Sequence, residues 1–199
     1  MSAAWSASQR YGLTPAPGGL GLVQDFLNTR GIAGYGPDLL ADTSLAHDWV
    51  AGAVRDWSAA RGVDQPPPPT FDDADLVKLR ALRSKLDSLV NGEAPGGPSA
   101  VPASLVLSDD GAVRLEPTGS GWRWLASALW AEILLSQQAG TWRRIKQCHN
   151  HHCGSTFYDR SKNNSGVWHD VKICGNAANL RASRARRRER ETGSTVSPQ

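Results

Sequence analysis

The 199-residue chain is poor in several things that define whole classes of protein. It has no apolar run approaching the ~20 residues that a membrane-spanning helix needs, so no span and no membrane partner is expected. Its first residues, MSAAWSASQRYG, lack a basic start followed by an apolar core, so no secretory signal is expected either. Cysteine is scarce: three residues cannot form a disulfide framework, and an odd number suits a reducing, cytoplasmic setting. Of five histidines only His47 lies before residue 149, which leaves few proton-transfer groups in the first three-quarters of the chain. There is no phosphate-binding loop, Gly-rich dinucleotide motif, Ser-His-Asp pattern or H-E-x-x-H pair. These absences make an enzyme the less favoured reading.

What is present is unevenly distributed. Residues 1–140 carry 10 Lys and Arg against 15 Asp and Glu, a net −5. Residues 141–190 carry 12 against 3, a net +9, together with all three cysteines and four of the five histidines. A basic, metal-ligand-rich end on an acidic body points to an anionic partner for that end.

Periodicity predicts a mainly α (α+β) fold. Residues 1–18, rich in Ser, Ala and Pro, read as a flexible arm. A helix is expected from Gly19 to about Arg30, and a second from Thr43 or Ser44 as N-cap to about Arg61, with Leu45, Trp49, Ala53 and Trp57 at i+4 spacing. Pro66–Pro69 form a stiff connector. The clearest helix runs from Phe71 to Val90, acidic in its first turn and striped with Leu76, Leu79, Leu82, Leu86 and Leu89. Ser104–Leu115 reads as a β-hairpin turning at 109–111, and 122–138 as a helix with Leu125, Leu129, Ile133 and Leu134 inward. The many tryptophans, Trp49, Trp57, Trp122, Trp124, Trp130 and Trp142 among them, are expected to fill the core. The division is thus an arm (1–18), a helical domain with one hairpin (19–140), a treble-clef-like zinc finger (141–190) and a disordered tail (191–199).

The finger rests on Cys148, Cys153, His169 and Cys174, spaced C-x4-C, fifteen residues, H-x4-C. Two short pairs separated by a loop let two segments close on one ion, and three thiolates with one imidazole are a standard structural set for Zn2+. His149, His151 and His152 compete for the fourth position, but His169 completes the second pair. Four ligands favour a closed structural site over a catalytic one. Beyond Cys174, a continuing helix would carry Arg181, Arg184 and Arg188 at i, i+3 and i+7. Arg186, Arg187 and Arg190 would widen the stripe, with Lys172 before it, and Lys172, Arg181, Arg184, Arg186, Arg187 and Arg188 stand out among them. Guanidinium forks suit phosphate and guanine, and a helix fits the DNA major groove. These six residues are the expected nucleic-acid contacts.

The segment RRIKQCHNHHCGSTFYDRSKNNSGVWHDVKICGNAANLRASRARRRER resembles the CGNR-type zinc finger found at the C-terminus of bacterial proteins with an ABATE domain. Cys148, Cys153, Phe157-Tyr158-Asp159, Ser161 to Asn163, Trp168 and Cys174-Gly175-Asn176 carry the likeness. Upstream, LVQDFLNTR resembles the Leu-x-Phe-x-Asn-Thr motif near the start of the ABATE domain, through Asp25, Phe26, Asn28 and Thr29. Two positions depart from the family. His169 stands where a Cys is usual, and Ala177 stands where an Arg follows Gly-Asn, so that any contact of that Arg is lost or moves to Arg181. The resemblance implies a stress-induced transcription regulator.

The expectation is therefore a zinc-dependent regulator that binds double-stranded DNA, its N-terminal domain sensing a small-molecule effector or forming a homodimer. The alternative is an enzyme or small-molecule-binding protein with its site in the N-terminal domain, at Asp25, Asn28, Thr29 and Arg30, and a purely structural zinc.

Overall fold

The computed structural model describes residues 5–94, 100–109, 111–150, 152–177, 179–181, 183, 184 and 186. The expected tail, together with Arg187 and Arg188, lies outside these residues. A short helix α1 (Ser6–Gln9) leads to α2 (Leu20–Leu27), α3 (Thr43–Arg61) and α4 (Asp73–Val90). The hairpin β1 (Ala103–Leu107) and β2 (Val113–Pro117) follows, then α5 (Gly121–Gln138) and a second small hairpin, β3 (Ile145–Gln147) with β4 (Thr156–Tyr158).

Local chemistry sets the helix ends. Asp42 and Asp72 cap α3 and α4, their carboxylates accepting the backbone N–H of Leu45 and Asp75 at 2.9 and 2.8 Å. The N-cap of α3 is thus one residue earlier than Thr43. Gly62 closes α3 in the left-handed conformation that favours glycine. On α5, Leu125, Leu129 and Ile133 are buried as expected, but Leu134 is 47% exposed. The inward stripe steps from Ile133 to Ser136, and Leu134 falls beside it. Trp49 and Trp57 are fully buried in the core, with Trp122, Trp124, Trp130 and Trp142 half-buried against it.

Residues 5–18 are not a loose arm. Trp5 is buried, and its indole occupies the space a side chain at Gly21 would need, with Trp5 Cζ2 2.7 Å from where a Cβ would sit. Ser8 donates its backbone N–H to Asp25 Oδ1 at 2.7 Å, while Trp49 Nε1 donates to Asp25 Oδ2 at 2.8 Å. Burial pushes the Asp25 carboxyl above the usual range, partly offset by these donors. Further on, Tyr11 and Leu13 leave the helical core altogether and pack with Cys148, Cys153, Phe157 and Cys174. The apolar residues of this segment are too sparse to show a period, which is why composition alone misreads it.

Among the contacts between the two halves of the chain, one buried side chain makes a paired joint. Asn28, buried at the end of α2, donates Nδ2 to the Thr156 carbonyl and accepts the Thr156 N–H on Oδ1, both at 2.8 Å. Its amide thereby acts as a neighbouring strand for β4. Arg10 fixes the approach, donating to the carbonyls of Asn28, Arg30 and Pro37. Replacing Asn28 by Ala leaves both Thr156 groups unpaired in the interior. Denaturant unfolding of Asn28→Ala is expected to show a loss of about 2–4 kcal/mol; a loss below about 0.5 kcal/mol would deny the joint its structural weight.

Candidate metal centre and basic helix

β3 and β4 form an antiparallel hairpin whose connection, from Cys148 to Ser155, is a tight knuckle. Cys148 donates its N–H to the Ser155 carbonyl at 2.8 Å, and Cys153 and Gly154 donate theirs to Asn150. Gly154 has φ +60°, the left-handed geometry that lets the knuckle close. The second pair arrives from a helical start: Asp170 caps the turn Val171–Gly175 by accepting the Ile173 N–H at 2.8 Å. Residues 176–177, 179–181, 183, 184 and 186 continue it as a helix. Knuckle, hairpin and helix make the treble-clef-like arrangement expected from the spacing.

One ligand atom from each of Cys148, Cys153, His169 and Cys174 lies within 4.8 Å of all the others. All three sulfurs are buried. In a zinc tetrahedron, sulfur at about 2.3 Å and nitrogen at about 2.0 Å from the metal stand about 3.5 Å apart. His169 Nδ1 lies 3.3 Å from Cys153 Sγ and 3.5 Å from Cys174 Sγ. The donor set and its spacing fit Zn2+, and His169 turns Nδ1, not Nε2, toward the sulfurs. Of the competitors, His149 and His152 are exposed, His149 resting edge-on against Trp168. His151 lies outside the described residues.

Two of the sulfurs have polar side chains against them. Ser155 Oγ is 3.1 Å from Cys153 Sγ, and Asn150 Nδ2 donates to Cys174 Sγ at 3.2 Å. The hydrogen bond from Cys148 pulls the Cys153 thiol down to about 3, with His169 and Ser155 adding to it. Cys148, holding the shared proton, is pushed up, and burial pushes Cys174 up. Metal binding must therefore expel protons from Cys148 and Cys174. Four protein ligands leave no open coordination position, as in structural zinc sites.

Residues 144–187 match the CGNR zinc finger family. The chain carries a zinc-binding CGNR finger. No curated protein matches the chain.

Around the finger's ligands, family-like residues take definite tasks. Asp159 is buried and accepts from Lys146 Nζ and the Gly166 N–H, both at 2.7 Å, and from the Ser161 N–H at 2.8 Å. Burial raises its carboxyl, but Lys146 and these donors outweigh that and hold it far below the usual range. A Cβ at Gly166 would stand 2.8 Å from Asp159 Oδ1, so the loop 161–166 needs glycine there. Lys146 is thus a loop-holding residue, a role that charge counting does not reveal.

The expected nucleic-acid contacts separate into two groups. Lys172, Arg184 and Arg186 are exposed. Arg181 turns back, donating NH2 to Asn150 Oδ1 at 2.5 Å, and Asn150 in turn holds Cys174. It braces the helix against the knuckle. Three of the four residues expected to line a ligand site in the helical domain are closed off from solvent. Asp25, Asn28 and Thr29 are buried, and Thr29 donates to the Phe26 carbonyl and accepts from Arg83. Arg30 is ion-paired with Asp87. Polar residues close to one helix end suggest a pocket in sequence; here they join α1, α3, α4 and β4 to α2. A cavity of about 360 Å³ lies elsewhere, between Trp57, Val63, Pro66 and Trp124 and the inner face of the β1–β2 hairpin.

His169→Ala is expected to lower bound zinc well below one per chain after dialysis, whereas His169→Cys keeps it at one. Elemental analysis of the purified variants checks this, and full zinc retention in His169→Ala would remove His169 from the ligand set.

Proposed function

We propose that the chain is a zinc-dependent, DNA-binding transcription regulator, with its finger on the duplex and a helical domain of the ABATE type governing it. The observation that carries this reading is continuity: the basic helix grows straight out of the turn that holds Cys174, so zinc fixes where its arginines point. Lys172, Arg184 and Arg186 lie exposed on this stretch, and residues 141–190 as a whole carry a net +9. A metal-anchored helix of this kind suits the major groove, with guanidinium groups reaching phosphates and guanine edges. Arg187 and Arg188 extend the same basic run in the sequence. Arg181 acts in this account as the brace that sets the helix angle. An effector, if sensed, fits the cavity beside Trp57 and Trp124 better than the buried Asp25–Arg30 segment.

The test is fluorescence anisotropy of the zinc-loaded full chain on duplex DNA from its own promoter and on scrambled DNA, over a salt series. Tight, promoter-preferring binding is expected. The joint substitution Arg184→Ala and Arg186→Ala should flatten the log–log salt slope by about 1–2 while zinc stays bound. Equal, weak binding to both duplexes, gone by physiological salt, would overturn the regulator reading.

A further inference from the structure

The β1–β2 hairpin is built inside out. Its register pairs Ala103 with Pro117, Leu105 with Leu115 and Leu107 with Val113, and alternation along each strand places these six side chains on one face. The other face carries Ser104, Val106, Arg114 and Glu116. The half-polar face is the one turned toward the body. Glu116 binds Arg61 of α3, and Val106, Arg114 and Glu116 line the cavity against Trp57 and Trp124. The uncharged face is left mostly to solvent, with Leu105 76% exposed, Leu107 71% and Val113 65%, while Leu115 and Pro117 are half-buried. A half-buried antiparallel sheet normally does the opposite, apolar inward and polar outward.

We propose that this outward face is the interface of a homodimer, in which two copies pack hairpin on hairpin about a two-fold axis. A two-fold interface must match itself, and a flat face with no charge meets a second copy without like-charge repulsion. The same lack of charge disqualifies other occupants. Nucleic acid and anionic lipid would need Lys or Arg there. The contrast within the molecule is plain: the finger's exposed Val171, Ile173 and Leu180 are interleaved with Lys172, Arg181 and Arg184. Within these 199 residues, the positions outside the described set offer little apolar cover. The residues outside the described set contain Met1 and Val196 as their only large aliphatic side chains.

The size of the patch sets the strength expected. Three large aliphatic side chains exposed side by side make a patch of the size, roughly 300–600 Å², that is the largest on a typical soluble monomer and is often functional. A standard interface takes about 800 Å² from each partner. The hairpin supplies only part of that, so the dimer is a weak, reversible one. Among the described residues each strand has one neighbour, and packing against a second hairpin gives an otherwise marginal two-stranded sheet its missing layer. The proposal does not rest on the DNA reading, and its readout is independent of DNA.

Sedimentation velocity of the zinc-loaded full chain across a concentration series tests it. The wild type should pass from monomer to dimer, and Leu105→Thr with Leu107→Thr should raise the dissociation constant at least about tenfold. Threonine keeps the strand propensity, and unchanged circular dichroism and zinc content establish that the variant is folded. Val77→Thr on α4, 56% exposed and remote from the hairpin in sequence, should leave the constant unchanged. A wild type that stays monomeric to about 100 µM, or a folded double variant that dimerises as tightly as wild type, overturns the proposal.

Discussion

Closure of four ligands on one point is the constraint from which the C-terminal quarter takes its shape. β3 and β4 are three residues each, and the cluster behind them holds only Tyr11, Leu13, Cys148, Cys153, Phe157 and Cys174 as buried apolar side chains. So little apolar burial does not offset the entropy of ordering the knuckle, the 161–166 loop and the helix start. Metal ligation supplies the missing free energy, as it does in small zinc domains that are unfolded without the ion. The direction of the basic helix is then a consequence of Cys174, and the Arg181–Asn150–Cys174 chain makes that direction stiff.

The finger is nevertheless not a free-standing module. Four of the nine members of its apolar cluster come from outside it: Tyr11 and Leu13 near the start of the chain, and Ile32 and Tyr35 in the loop after α2. The Asn28 amide completes β4, and Arg160 reaches the Pro15 carbonyl at 2.7 Å. The chain therefore folds from both ends onto α2. A shift of α2 or α1 would be felt at Thr156 of β4, next to Ser155 and its contact with Cys153. This is a physical route by which the helical part can bias the metal centre. It also explains why a line drawn at residue 18 or 140 divides the sequence more cleanly than it divides the molecule.

The sequence disclosed those features whose signals are local and periodic. Leu76, Leu79, Leu82 and Leu86 announced α4, the acidic Asp-Asp-x-Asp run announced where it begins, and the paired C-x4-C and H-x4-C spacing announced the metal cluster. What stayed hidden depends on partners far away in the chain. Nothing near Asn28 says that it pairs with Thr156, and nothing near Tyr11 says that it packs on a cysteine cluster. Asp25, Asn28 and Thr29 looked like a site because polar residues gathered at a helix end attract that reading; burial shows them to be joints. Arg181 looked like its neighbours because charge alone does not reveal a side chain's direction. The inverted hairpin was hidden for a related reason: alternation identifies two faces but not which one meets the body.

The measurement that bears most directly on the whole account is X-ray absorption at the zinc edge of the purified full-length protein. The account predicts one zinc per chain with three sulfur neighbours at about 2.3 Å and one nitrogen neighbour at about 2.0 Å, with no oxygen. A site with two sulfurs, or with a bound water in place of the imidazole, would contradict it, because the finger's closure and the aim of its basic helix both rest on that ligand set.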